Sequence, residues 1–163
     1  MVPPRLARGL PPGEAGREKG AAGLTNQEKK EYLRRYKAAD EEINDLLREK
    51  ERVMSRLTRM TASITGMPKG GGERDALAGG MDKLIALDRE IDCKVDALIT
   101  LRRQIEGCIA TVGNVTQQRL LRLRYLECMS WDRVAVEMGY EHAHVTRLHG
   151  AALSALNMSF YEL

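Results

Sequence analysis

Two apolar stripes of the same period, separated by a stretch that regular helix does not tolerate, constrain this chain more than any other feature. Tyr36, Ala39, Ile43, Leu46, Lys50, Val53, Leu57, Met60 and Ile64 follow one another at alternating steps of three and four. That alternation holds one narrow seam on the same side of a helix, as in a coiled coil. Charged residues such as Glu41, Glu42, Arg48, Glu49 and Arg52 fill the outer positions, so one helix is expected from Gln27 to Ile64. The run GMPKGGG at Gly66–Gly72 follows. Pro68 removes a backbone donor and successive glycines are costly to order, so no helix is expected to pass through. The stripe then resumes at Leu77 and continues through Met81, Leu84, Asp88, Ile91, Val95, Leu98, Arg102, Ile105, Ile109 and Val112. Two helices of similar length, joined by a loop at 65–76, are expected to fold back on one another as an antiparallel hairpin.

The rest of the chain fits an all-α protein. Aromatic residues make up 4% and charged residues 30%, a balance suited to helices that bury narrow stripes and not to a thick β core. The seam is only two residues wide per heptad, which leaves two readings open: a hairpin core, or a surface for a second copy or another partner. Lys50, Asp88 and Arg102 interrupt the seam, and an unpaired charge there is costly enough to set the register. Periodicity does not say whether Lys50 meets Asp88. Residues 1–25 hold four of the five prolines and five glycines without a helical period, so a disordered tail is expected. Residues 159–163 are expected to be a short second tail.

After the hairpin (26–112), Gly113 and Asn114 act as punctuation, and residues 113–158 read as three short helices. Thr116 is the expected cap of the first, TQQRLLRLRYLECM, which turns Leu120, Leu123 and Leu126 or Tyr125 inward. Ser130 is the expected cap of WDRVAVEM, and a third helix is expected over 142–157. The last two carry the pattern of a helix-turn-helix, in which one helix lies across a duplex while the next enters its major groove. Val134 packs inward, Ala135 permits close approach, and Met138 closes the first helix. Gly139 can take the positive φ of the turn, Tyr140 plugs the corner, and Val145 and Leu148 face the core. Trp131 reads as a core residue and not as a platform for stacking a base.

The stretch Leu120–Leu156, LLRLRYLECMSWDRVAVEMGYEHAHVTRLHGAALSAL, resembles region 4 of bacterial sigma factors without a gap. The layout of 27–156 is more narrowly similar to the ArpU/RinA-type late transcription regulators of phages and prophages. In these, a helical hairpin with an MPxGGG loop (here Met67–Gly72) precedes a domain ending VxRLHGxAL (here Val145–Leu153). The resemblance implies sequence-specific binding to double-stranded DNA near a promoter in a bacterial host cell. It further implies that the hairpin contacts RNA polymerase or a second copy of the chain.

From the helix pattern, Glu141, His142, Ala143, Thr146 and Arg147 are the candidate base-reading residues, since they lie opposite Val145 and Leu148 near the start of the last helix. Arg147 can grip guanine with two hydrogen bonds, and Thr146 can meet a thymine methyl. Arg119, Arg122, Arg124, Arg133 and His144 are the candidate phosphate contacts, which orient without reading sequence. The net charge of +3 is too small to favour nucleic acid in bulk, so affinity must come from where the arginines sit. Ala143, Ala151, Ser154 and Ala155 stand where sigma factors usually carry basic residues, and Gly150 weakens the last helix by about 1 kcal/mol. Modest affinity as a monomer is therefore expected.

Other chemistries are thinly supported. His142 and His144 lie two apart on a helix, and no cysteine pair accompanies them, so no metal or other cofactor is expected. The glycines at 70–72 lack the following Lys-Ser/Thr of a phosphate loop. No nucleophile is followed by a base at a usable spacing, so a non-enzyme is expected. Cys93, Cys108 and Cys128 are odd in number and widely spaced, which suggests small buried apolar groups in a reducing cytoplasm and no disulfide. No apolar run approaches the roughly 18 residues of a membrane span. Two rival functions share the pattern: a small terminase subunit recognising a packaging site, and a protein-interaction module that binds no DNA.

Overall fold

The computed structural model describes residues 24–63 and 71–158, and these form five helices. Residues 1–23 of the expected tail, residues 64–70, which include the first half of the expected 65–76 loop, and the expected tail at 159–163 lie outside the described residues. Helix α1 spans Asn26–Ser63 and α2 spans Gly71–Ala110. The three shorter helices are α3 (Val115–Tyr125), α4 (Trp131–Met138) and α5 (His142–Ala155).

Helices α1 and α2 pack along their lengths, and the cross-contacts run in opposite directions. Tyr32 meets Gln104, Tyr36 meets Arg102, Glu42 pairs with Lys94, Glu49 with Lys83 and Lys50 with Asp88. The pair is therefore antiparallel. The two polar interruptions at Lys50 and Asp88 answer one another across the seam, which settles the question periodicity left open. Ile43, Val53 and Leu57 of the predicted α1 stripe are buried.

On α2 the stripe needs a correction at the far end of the hairpin. Met81 is 51% exposed, while Leu87, off the predicted stripe, is buried against Val53 and Leu57. The seam here runs through Leu77, Gly80, Leu84 and Leu87. Gly80 fits this register: a Cβ there would crowd the Leu57 side chain, which would have to shift to make room. Asp88 sits beside the seam as Lys50's partner. The expected loop also ends earlier than the glycine run suggested, because Gly71 and Gly72 already belong to the first turn of α2. A first turn makes no intrahelical N–H bonds, so glycine there forfeits less than it would in a helix interior.

At its other end α1 starts at Asn26, one residue before the expected Gln27, and Leu24 and Thr25 of the predicted tail are ordered against it. The Thr25 N–H and hydroxyl donate to the Glu28 carboxylate at 2.7 and 2.8 Å, and Glu28 N–H returns a bond to Thr25 Oγ1 at 3.3 Å. This is a capping box, and Leu24 packs against the core beside it.

The main core sits at this base of the hairpin, and it runs across the 112/113 boundary. Tyr32, Leu33 and Tyr36 of α1 join Ile105, Cys108 and Ile109 of α2, with Val112 just beyond it. They pack with Leu120, Leu121 and Tyr125 of α3, Val134 and Ala135 of α4, and Val145, Ala152 and Leu153 of α5. Leu33 is fully buried although it lies off the heptad stripe, because its partners are the short helices and not only α2. Polar ties reinforce the join. Lys29 Nζ donates to the Leu153 carbonyl at 2.8 Å, joining the Leu156 N–H on that acceptor at the end of α5. Burial pushes the Lys29 amine below its ordinary pKa. Arg102 reaches the Tyr36 hydroxyl, Glu106 and Glu127, tying both hairpin helices to the α3–α4 connection.

No described helix is long and apolar enough to cross a membrane. The cysteines divide: Cys108 is buried and Cys128 half-buried, but Cys93 is exposed on α2, contrary to the expectation for all three.

Candidate nucleic-acid interface

The short helices are held by local signals, two of which differ from those predicted. Asn114, and not Thr116, caps α3: its Oδ1 accepts from Thr116 N–H at 2.9 Å and Gln117 N–H at 3.2 Å. Asn114 has the extended backbone a cap needs, whereas Thr116 is already helical. Ser130 caps α4 as expected, accepting from Arg133 N–H. Between α3 and α4, Cys128 adopts φ 53°, the left-handed conformation a glycine usually supplies. The Met129 N–H then reaches back to the Leu123 carbonyl at 3.0 Å, reversing the chain.

Gly139 ends α4 at φ 68°, and the N–H groups of Gly139 and Tyr140 bond back into the last turn of α4. Val134 and Val145 are fully buried where α4 and α5 meet, and Ala135 is buried beside them. Tyr140 does not plug this corner. It is 40% exposed and lies edge-on to the His144 ring at 4.8 Å, because the backbone bond to Ala135 already closes the turn and Gly139 carries the bend.

Helix α5 begins after Glu141, whose side chain makes no capping bond. Glu141, His142, Ala143, Thr146 and Arg147 are all exposed at the start of α5. The Thr146 hydroxyl donates to the His142 carbonyl at 3.0 Å, which leaves its methyl and lone pairs outward. Arg147 has no ion-pair partner among the described residues.

The predicted phosphate contacts do not come together as one group. Residues two apart on a helix lie about 200° apart around its axis, so Arg122 and Arg124 leave α3 on opposite sides. Arg119 points toward the end of α4, where it meets the Glu137 carbonyl and carboxylate at 3.3 and 3.5 Å. Arg122 and Arg133 are exposed, and His144 meets Tyr140 edge-on. Arg124 is drawn inward: it is half-buried, donates to the Met129 carbonyl, and lies 4.6 Å over the Trp131 ring. Trp131 in turn packs against the core, as predicted from its place in the pattern.

His149 is the residue the sequence reading undervalued. It is buried, its Nε2 lies 3.0 Å from the Tyr125 hydroxyl, and its ring meets the edge of Trp131 at 4.8 Å. Burial, with Lys30, Arg124 and Arg34 nearby, pushes its pKa down to about 4. The imidazole is therefore a neutral hydrogen-bonding member of the core. Above it opens a cavity of about 340 Å³, walled by Lys30 and Arg34 of α1, Arg124 of α3, and His142 and Thr146 of α5. Lys30 and Arg34 sat among the outer positions before the first predicted stripe residue, where only the packed base of the hairpin reveals their direction.

No family model, curated protein or solved structure matches this chain.

Proposed function

We propose that the chain is a sequence-specific DNA-binding transcriptional regulator of phage or prophage genes, with α4 and α5 as its helix-turn-helix. The observation that carries this reading is the first half of α5. Its polar side chains His142, Thr146 and Arg147 stand exposed, while Val145 and His149 are buried and anchor the helix in the core. A reading helix needs that division, because side chains that reach base edges must be free and their scaffold must be fixed. Glu141 and Ala143 complete the reading surface. Arg133, at the start of α4, lies where the first helix of such a motif crosses the backbone, and Arg119 and Arg122 serve the outer flank. The long hairpin presents its far end to RNA polymerase or to a second copy.

The test is capture of sheared fragments of the native genome by the purified chain at near-physiological salt, followed by sequencing. Enrichment of a fragment upstream of late genes is the expected result. Enrichment at a packaging end would replace regulation with packaging-site recognition. Capture of no fragment, even at low salt, would sink the DNA-binding reading.

A further inference from the structure

The cavity above His149 joins two parts of the molecule that the sequence keeps far apart. Its walls bring Lys30 and Arg34, from the second and third turns of the hairpin, to the same opening as Arg124, His142 and Thr146. No carboxylate lines it, and among the described residues none pairs with Lys30, Arg34 or Arg124. Three cations held around one opening with no counter-charge repel one another, and an anion seated between them relieves that repulsion. The depressed pKa of His149 reports the same convergence, since Lys30, Arg124 and Arg34 all act on it. At about 340 Å³ the space is several times the ~30 Å³ share of one water, so a tetrahedral oxyanion enters with its bridging waters.

The position selects the anion. His142 and Thr146 belong both to this rim and to the exposed surface of α5, so a group seated in the cavity lies alongside whatever α5 reads. We infer that the cavity seats one backbone phosphate of the duplex bound by α5, making Lys30 and Arg34 of the hairpin part of the DNA-binding surface. This rests on the DNA-binding reading above. Arg34 offers a guanidinium fork that matches phosphate oxygens, and Lys30 adds a point charge. The arginine stacked on Trp131 lines the inner wall without needing to move.

The test uses the full chain and a fluorescein-labelled duplex of about 24 bp and mixed sequence, with anisotropy read from about 25 to about 200 mM NaCl. The Lys30→Gln/Arg34→Gln double variant is expected to bind every duplex about tenfold more weakly near 100 mM salt, with the salt slope flatter by about 1. Arg34→Lys, which keeps the charge, should recover most of the slope. Neither residue is buried, and circular dichroism checks that the fold is kept. An unchanged slope and affinity in the double variant, while the parent chain binds, would overturn the cavity's role and leave the α5 reading standing. Absence of salt-dependent binding by the parent chain would overturn both. In a parallel arm, inorganic phosphate is added in a thermal-shift assay. If it stabilises the parent but not the double variant, and duplex binding is equal in the two, the cavity serves a free small anion and the duplex assignment falls.

Discussion

Acidifying the solution from about pH 7.5 to about pH 5 should loosen this fold through one imidazole. In the folded chain His149 has its pKa pushed down to about 4, against an ordinary value of 6.5. Between those values the unfolded chain takes up a proton that the folded chain refuses, so stability is full above about pH 7 and falls as pH drops toward 4. With both pKa values taken at face value, the loss at pH 5 is about 2 kcal/mol. The ring edges onto a cavity open to solvent, which screens part of that effect, so a loss of about 1 kcal/mol is the working figure. The assay is urea unfolding at the two pH values, followed by far-UV circular dichroism, for the parent chain and for His149→Gln. Glutamine keeps a hydrogen bond to Tyr125 within reach but does not titrate. Surface carboxylates such as Glu49, held below its ordinary pKa by Lys83, lose their contribution equally in both proteins and cancel in the comparison. The parent should lose about 1 kcal/mol more than the variant. Equal losses, or a parent that gains stability on acidification, would refute the claim that a neutral, desolvated His149 is built into the core.

Arg147→Ala should weaken binding to a preferred site by about 1–3 kcal/mol and relax sequence preference, whereas Arg122→Ala should weaken all duplexes alike; competition anisotropy with matched and scrambled duplexes separates the two. Leu33→Ala should cost about 2–5 kcal/mol, measured by chemical denaturation, because it empties a fully buried site where the hairpin meets the short helices. Gly150→Ala should raise stability by about 1 kcal/mol in the same assay, since an added Cβ meets nothing within 4 Å in mid-helix. Of the three thiols only the exposed Cys93 should react quickly with a maleimide at neutral pH, Cys108 being buried with its pKa pushed up to about 11; mass spectrometry of the labelled peptides checks this.

Features legible in the sequence were those written in local period or local backbone chemistry. The α1 stripe, the Ser130 cap and the Gly139 turn all depend on residues within a turn or two of one another. The reading of α2 slipped at its far end, because a three-four count rewards Met81 over Gly80, although Leu57 packs over Gly80. Cys128 in a left-handed conformation gave no signal, since the residue type usually found there is glycine. The base of the hairpin was the largest omission. Leu33, Lys29 and Arg34 meet α3 and α5 across more than 80 residues of chain, and no periodicity encodes which outer position will face a neighbour that distant. The predicted arginine set divided for a related reason: spacing along α3 separates Arg122 from Arg124, but only packing turns Arg124 onto Trp131.

The shared core at the base of the hairpin gives α1 a mechanical role. A helix of 38 residues is about 57 Å long at 1.5 Å per residue, and its first turns are fixed to α5 by Leu33 and by the Lys29–Leu153 bond. The assembly is a lever whose fulcrum lies beside the exposed face of α5. Rocking by about 5° at the fulcrum carries the far end through about 5 Å over that length. Conversely, a body that clamps the far end holds the pitch of α5 to within a few degrees, and does so without touching α5.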